Sequence, residues 1–166
     1  MATEDRTALF DAVVAAADYP MLVVTVQAGG RRAGCLVGFA TQVSIEPRRF
    51  LVGLSKRNYT YRVAEHAERL AVHVLGSEQL SLARLFGGET GDDIDKFVHC
   101  DWHVGPGGVP VLKTVHSWFS ARILERHDFG DHVGVLLDPE DGAAPRRLGE
   151  TLRYHAVARL SAGHPV

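Results

Sequence analysis

Three short segments of this chain hold residue types that can do chemistry. Ser55-Lys56-Arg57-Asn58-Tyr59-Thr60 sets two cations and several hydroxyl and amide groups just ahead of an expected helix. Free N–H groups at a helix start, with two cations, make an anion site suited to a phosphate. The same residues also read as an ordinary capped helix with solvated basic side chains. Gly34-Cys35-Leu36-Val37-Gly38-Phe39-Ala40-Thr41-Gln42-Val43-Ser44-Ile45-Glu46-Pro47 is an apolar run with two glycines. Such a strand offers its backbone at low steric cost, and flat heterocycles or phosphates use that surface. A glycine bulge that bends a barrel corner is the competing reading. In His127-Asp128-Phe129-Gly130-Asp131-His132, a turn brings His132 to the start of a strand. An imidazole there can orient a reacting ring or exchange a proton near neutral pH. Alternatively, Asp131 and His132 only hold the turn.

Other chemistries find less support. His99, Cys100, Asp101 and His103 crowd together, as do His127, Asp128, Asp131 and His132, but neither group has zinc-site spacing. Neighbouring residues on a strand also point to opposite faces, so no metal is expected. Ser44, Ser117 and Ser120 lack a nucleophile elbow, and Cys35 sits in an apolar strand where a thiol is inert.

The elements that must position these segments follow from periodicity. Helical spacing predicts an amphipathic N-terminal helix over about residues 7–17. Strands are predicted over Met21 to Gln27, from Arg31 toward Thr41, over Arg49 to Leu54, and over Leu70 to Leu75. Asn58 or Thr60 caps a helix running to about Ala67, and Ser77 caps another from Glu78 to about Phe86. Gly87 to Asp95 and Gly105 to Pro110 are loops. Ser117 to Asp128 and His132 to Leu137 form a hairpin, and a last strand is expected around Leu152 to Leu160. Six or seven short strands with few helices favour a closed antiparallel barrel.

The 166 residues suffice for one domain with a real core, and neither a repeat nor a linker divides them. A net charge of −2 removes the electrostatic case for nucleic acid. Two cysteines in separate apolar contexts argue against a disulfide framework and for a reducing, cytoplasmic setting. The first residues carry Glu4, Asp5 and Arg6 with no apolar leader, and no run is long enough for a membrane span.

In their order, the three segments resemble the flavin reductase-like family, and the resemblance extends over roughly Tyr19 to Leu137. Asp95-Lys96-Phe97, Trp102 and Gly108-Val109-Pro110-Val111-Leu112 fit the same pattern. The resemblance implies a mainly β fold, a Greek-key split β-barrel of FMN-binding type, spanning 1–166 as one domain. It implies NAD(P)H-dependent reduction of FMN or FAD, with NADH or NADPH as hydride donor. A homodimer and a partner monooxygenase, in a two-component system, are implied as well. Carried over by position, Gly38, Phe39, Ala40 and Thr41 lie along the flavin. Ser55, Lys56, Arg57, Asn58 and Thr60 hold its phosphate. Lys96 reaches a phosphate, Phe97 packs on the flavin, and His132 positions the reacting rings. The family strand usually presents hydroxyls where this chain has Leu36, Gly38 and Phe39, which shifts contacts toward backbone amides. A flavin-holding barrel without reductase turnover is the alternative, and a barrel used only for protein contacts is the third.

Overall fold

The computed structural model describes residues 3–164; positions 1–2 and 165–166 of the expected domain lie outside the described residues. Helix α1 (Thr3–Ala16) begins earlier than its expected start. Three of its apolar residues, Leu9, Phe10 and Val13, are all more than half exposed, while Val14 and Ala15 are half-buried. The chain turns at Asp18 into β1 (Leu22–Ala28), and the Gly29-Gly30 turn leads to β2 (Arg31–Val37).

The expected long second strand breaks at Gly38-Phe39. Beyond the break, β3 (Ala40–Ile45) pairs with β4 (Arg48–Ser55) instead of continuing beside β1. Gly53 N donates to Phe39 O at 2.7 Å, so β4 captures the chain at the crossing point. Helix α2 (Tyr59–Ala64) then leads to β5 (Arg69–Val74). Helix α3 (Leu80–Gly88) is entered from Gln79, not Ser77, because the Gln79 side-chain oxygen accepts from Gly76 N at 2.8 Å and shapes that turn. A small hairpin of β6 (Trp102–Val104) and β7 (Pro110–Leu112) precedes the long hairpin β8 (Trp118–Asp128) and β9 (His132–Ala143).

The last expected strand is a correction. Residues 154–157 form helix α4 (Tyr154–Val157), and the segment before it meets the rest through isolated bridges, Gly76 to Thr151 and Pro20 to Arg153, and backbone hydrogen bonds such as Leu152 N to Leu75 O at 2.8 Å. Tyr154 and Val157 stand three apart, the spacing of one helix face, so Val157 is buried where an alternating strand would have split the pair.

The seven-stranded antiparallel sheet runs β2-β1-β5-β8-β9-β4-β3. Inward residues from six strands meet in one core, including Val24, Cys35, Leu54, Val72, Ala121 and Val135. A sheet whose alternate residues all converge must curl into a barrel. The wall stays open at β2 and β3, the two edge strands of the sheet order, so the barrel is split. A second apolar layer outside it, with Met21, Phe86, Phe97, Leu112 and Val157, seats α3 and α4.

Candidate functional site

Strand pairing brings the second and third segments together. In the β4–β9 register Ser55 lies opposite His132, and Lys56 N donates to Asp131 O at 2.9 Å. The break after β2 turns Gly38 and Phe39 toward the same end of the barrel. A cleft of about 590 Å³ opens there, within the range of small-ligand and cofactor sites. Leu36, Val37, Gly38 and Phe39 give it an apolar wall, Ser55, Arg57 and Asn58 a polar end, and Asp131 and His132 a flank. Tyr19, Tyr154, Val157 and Leu160 line the cleft as well. The Tyr19 and Tyr154 rings stack at 4.9 Å, and a Cβ on Gly38 would collide with the Tyr19 ring. Gly38 therefore lets an aromatic side chain approach the backbone, which is the reason that position needs a glycine.

At the polar end the cation is Arg57, beside the Ser55 hydroxyl, which accepts from Arg57 N at 3.4 Å. Asn58 rather than Thr60 is the N-cap of α2: its Oδ1 accepts from Thr60 N at 3.0 Å. That amide is thus already spoken for, and α2 is only six residues long, so the expected helix-terminus anion site gives way to side chains. Thr60 itself is buried, and its hydroxyl faces the Cys35 thiol inside the barrel. Lys56 also lies off the cleft lining. Its ammonium pairs with Asp128 at 2.7 Å, and that bond holds the Asp128 carboxyl below the usual carboxylate range.

His132 occupies the place its sequence suggested, at the first position of β9. Its Nδ1 meets Asp131 Oδ1 at 2.8 Å, and this hydrogen bond holds the Asp131 carboxyl below its ordinary range. Its ring lies 5.0 Å from that of Phe39, tilted by 55°. An imidazole clamped at Nδ1 by a carboxylate has a fixed orientation and presents Nε2 as its remaining polar atom.

Ala40 and Thr41 line a separate, smaller cleft on β3, together with Phe39 and His132. Lys96 and Phe97 do not reach the main cleft. Lys96 is 4% exposed, and its Nζ donates to the carbonyls of Gly34 and Phe86, both at 2.9 Å. Buried backbone acceptors take its protons, so the ammonium ties α3 to β2 instead of meeting a phosphate. Phe97 is a core residue, edge-on to both Phe86 and Trp102 at 5.7 Å. Cys35 lines the main cleft but is buried, and burial pushes its thiol up, away from the nucleophilic form. Among the described residues no three His, Cys, Asp or Glu side chains gather as a metal site, and no helix is long and apolar enough to cross a membrane.

The residues that sequence reasoning missed are Tyr19, Tyr154, Val157 and Leu160. For Tyr154, Val157 and Leu160 the signal lies in their spacing of three, a helical interval, whereas Tyr19 carries no local mark.

The donor set fits a flavin mononucleotide: an apolar wall for a flat ring, and a guanidinium with hydroxyl and amide groups for one phosphate. Comparison with known proteins places the chain among relatives. A Rhizobium meliloti protein named "Probable flavin reductase" is 31% identical over 132 residues, covering 80% of this chain and 42% of that one. The chain thus spans less than half the length of this relative. "FMN reductase (NADH) RutF" of Methylorubrum extorquens is 32% identical over 141 residues, covering 82% of this chain and 68% of that protein. The crystal structure of an FMN-binding protein from Thermus thermophilus with bound 1-cyclohex-2-enone superposes with a TM-score of 0.72 at 25% identity, covering 76% and 70% of the two chains. The flavin reductase like domain matches residues 15–160, from the end of α1 through α4. With most of its length so matched, the chain belongs to the flavin reductase like domain family.

Proposed function

We propose that the chain is an NADH-dependent flavin reductase that binds FMN in the 590 Å³ cleft. The observation that carries this reading is the cross-strand meeting of Ser55 and His132, which sets a polar end with Arg57 and an imidazole held by Asp131 on one apolar cleft. When bound, the flavin supplies the hydride acceptor, so the protein needs no nucleophile of its own. Leu36 to Phe39 and the Tyr19-Tyr154 pair exclude water from the ring. Arg57, Ser55 and Asn58 hold the phosphate, and a single cationic end suits FMN better than the longer FAD. His132 orients the reacting rings through Nε2 while Asp131 fixes its tautomer. The relatives named as flavin and FMN (NADH) reductases support this choice of flavin and of donor.

The exposed Leu9, Phe10 and Val13 of α1 support a homodimer, since isolated monomers seldom present such a row. Unpaired Cys35 and Cys100 fit a cytoplasmic setting. Delivery of reduced flavin to a monooxygenase partner is the role this activity would serve, from one domain spanning residues 1–166.

The test is the visible spectrum of the protein with FMN, before and after anaerobic NADH. Bleaching of a bound flavin band is expected, with NADH faster than NADPH. In His132→Ala, bleaching slows about 10–100-fold, the scale of a lost positioning contact, while FMN affinity changes little. A variant that instead lost FMN and kept its rate would remove His132 from that role. The Ser55→Ala plus Arg57→Ala double variant is expected to weaken FMN binding by about 1–3 kcal/mol, as for lost charge-assisted hydrogen bonds. Fluorescence titration reads this directly, and unchanged affinity would sink the phosphate assignment. A second reading, flavin holding without turnover, draws on the absence of hydroxyls along Leu36 to Phe39. It predicts a bound band that NADH and NADPH leave intact.

A further inference from the structure

After α4 the chain stays with the main cleft. Ala158, Leu160, Ala162 and His164 all line it, every second residue, as along an extended chain laid on its rim. The end of α3 gives this strap its bed. A Cβ on Gly87 would stand 2.8 Å from the Leu36 side chain and 3.1 Å from that of Leu160, so the bare backbone there makes room for both leucines. Gly163 N donates to Gly87 O at 3.1 Å and pins the strap a second time. Gly163 itself has no room for a side chain, because a Cβ on it would collide with the backbone of Glu89 and Thr90.

The second pin fixes the far part of the strap. Glu89 and Thr90 lead into Gly91, which packs on the Tyr59 ring, and Tyr59 follows Asn58 at the polar end. His164 is thereby brought onto the same cleft as Arg57 and Asn58. The loop also carries Asp92, whose ion pair with Arg62 balances its charge. Ser55, Arg57 and Asn58 all come from one side, the junction of β4 and α2. A phosphate has several acceptor oxygens, and an imidazole N–H from another element can donate to one of them.

We propose that His164 is a further ligand of the flavin phosphate, and that the strap of residues 158–164 closes the cleft behind that phosphate, so that FMN fits and the longer FAD does not. The assignment rests on the reading of the main cleft as a flavin site. It extends that reading to residues beyond 15–160, the stretch matched to the family. Selectivity then has two sources: a donor that riboflavin, lacking a phosphate, cannot use, and a closed end that FAD cannot pass.

The test is fluorescence titration of FMN, riboflavin and FAD against the full chain and its point variants. His164→Ala is expected to weaken FMN about tenfold, the scale of one lost charge-assisted hydrogen bond, and to leave riboflavin within about twofold. His164→Gln keeps an N–H donor of similar reach and restores most of the FMN affinity. Gly163→Ala forces the strap off Glu89 and is expected to raise FAD affinity relative to FMN about fivefold. Thermal midpoints of these variants stay near that of the wild type, because residues 163 and 164 lie outside the apolar cores. Equal loss of FMN and riboflavin in His164→Ala overturns the phosphate contact, since a merely structural strap would move both. An unchanged ratio of FMN to FAD affinity in Gly163→Ala overturns the closed end. If Ser55→Ala plus Arg57→Ala loses FMN and His164→Ala does not, the flavin reading stands and the role of His164 falls. A wild type that binds none of the three flavins overturns both.

Discussion

Acidification from pH 6.5 to about pH 4 is expected to cost about 3 kcal/mol of stability through His73 alone. His73 is fully buried on β5 between the barrel and the β6–β7 hairpin. Its Nδ1 donates to Val23 O at 3.1 Å, and its Nε2 accepts from Leu112 N at 3.1 Å. Both ring nitrogens are therefore used, in the one neutral tautomer that satisfies both partners. A proton on Nε2 would face the Leu112 N–H and would place a charge in the core. Burial, aided by the nearby His103, accordingly lowers the pKa of His73 to about 4. The unfolded chain takes up that proton near pH 6.5, and the folded chain only near pH 4. The unfolded state binds more protons across this window, so stability is complete above it and falls as the pH drops, by about 1.4 kcal/mol per pH unit. Urea midpoints at stepped pH for wild type and His73→Gln read the difference, with the wild-type slope steeper by up to one proton. Imidazole NMR of the wild type checks the same point without a variant: a His73 resonance that titrated near pH 6.5 would refute it.

Lys96→Met is expected to destabilise the protein by about 2–4 kcal/mol while leaving FMN affinity unchanged. The ammonium donates to the carbonyls of Phe86, in the last turn of α3, and Gly34, in the middle of β2. Methionine keeps most of the side-chain volume but leaves both acceptors buried without that donor, and an unsatisfied buried polar group costs about 1–3 kcal/mol. Burial lowers the Lys96 pKa, opposed by the Cys35 thiol, so losing the charge returns a little of this cost. Chemical denaturation measures the loss, and FMN titration separates the two roles assigned to this residue. A stable variant with weakened FMN binding would restore Lys96 to the phosphate and remove it from the α3–β2 contact.

Much of the architecture was legible from local pattern. The hairpins β1–β2 and β8–β9, the strand β5 and the start of α2 at Asn58 or Thr60 all follow from alternation and turn chemistry that act within a few residues. The positions of Ser55, Arg57, Asn58 and His132 on one cleft agree with the motif order, because each lies at an element boundary that the sequence marks clearly. Lys96 and Phe97 were less tractable. A lysine beside an aromatic in a polar loop looks the same whether it meets a ligand or two carbonyls from β2 and α3. Those carbonyls come from segments 62 and 10 residues away.

The break at Gly38-Phe39 and the fate of residues 152–160 show where local reasoning ends. Nothing within β2 says that β4 will capture Phe39 O through Gly53 N, since that hydrogen bond exists only once β4 lies alongside. Tyr154 and Val157 lie on one face of α4, where Tyr154 stacks on the Tyr19 ring and Val157 joins the second apolar layer, partners that lie far away in the chain. By itself, then, the sequence determined most of the strands and the turns between them, because periodicity and turn residues act locally. Tertiary structure alone decided that Lys56, Thr60, Lys96 and Phe97 face away from the main cleft and that the C-terminal segment walls it. Register and burial are settled by partners distant in the chain, and a side chain's role follows from the partner it finally meets.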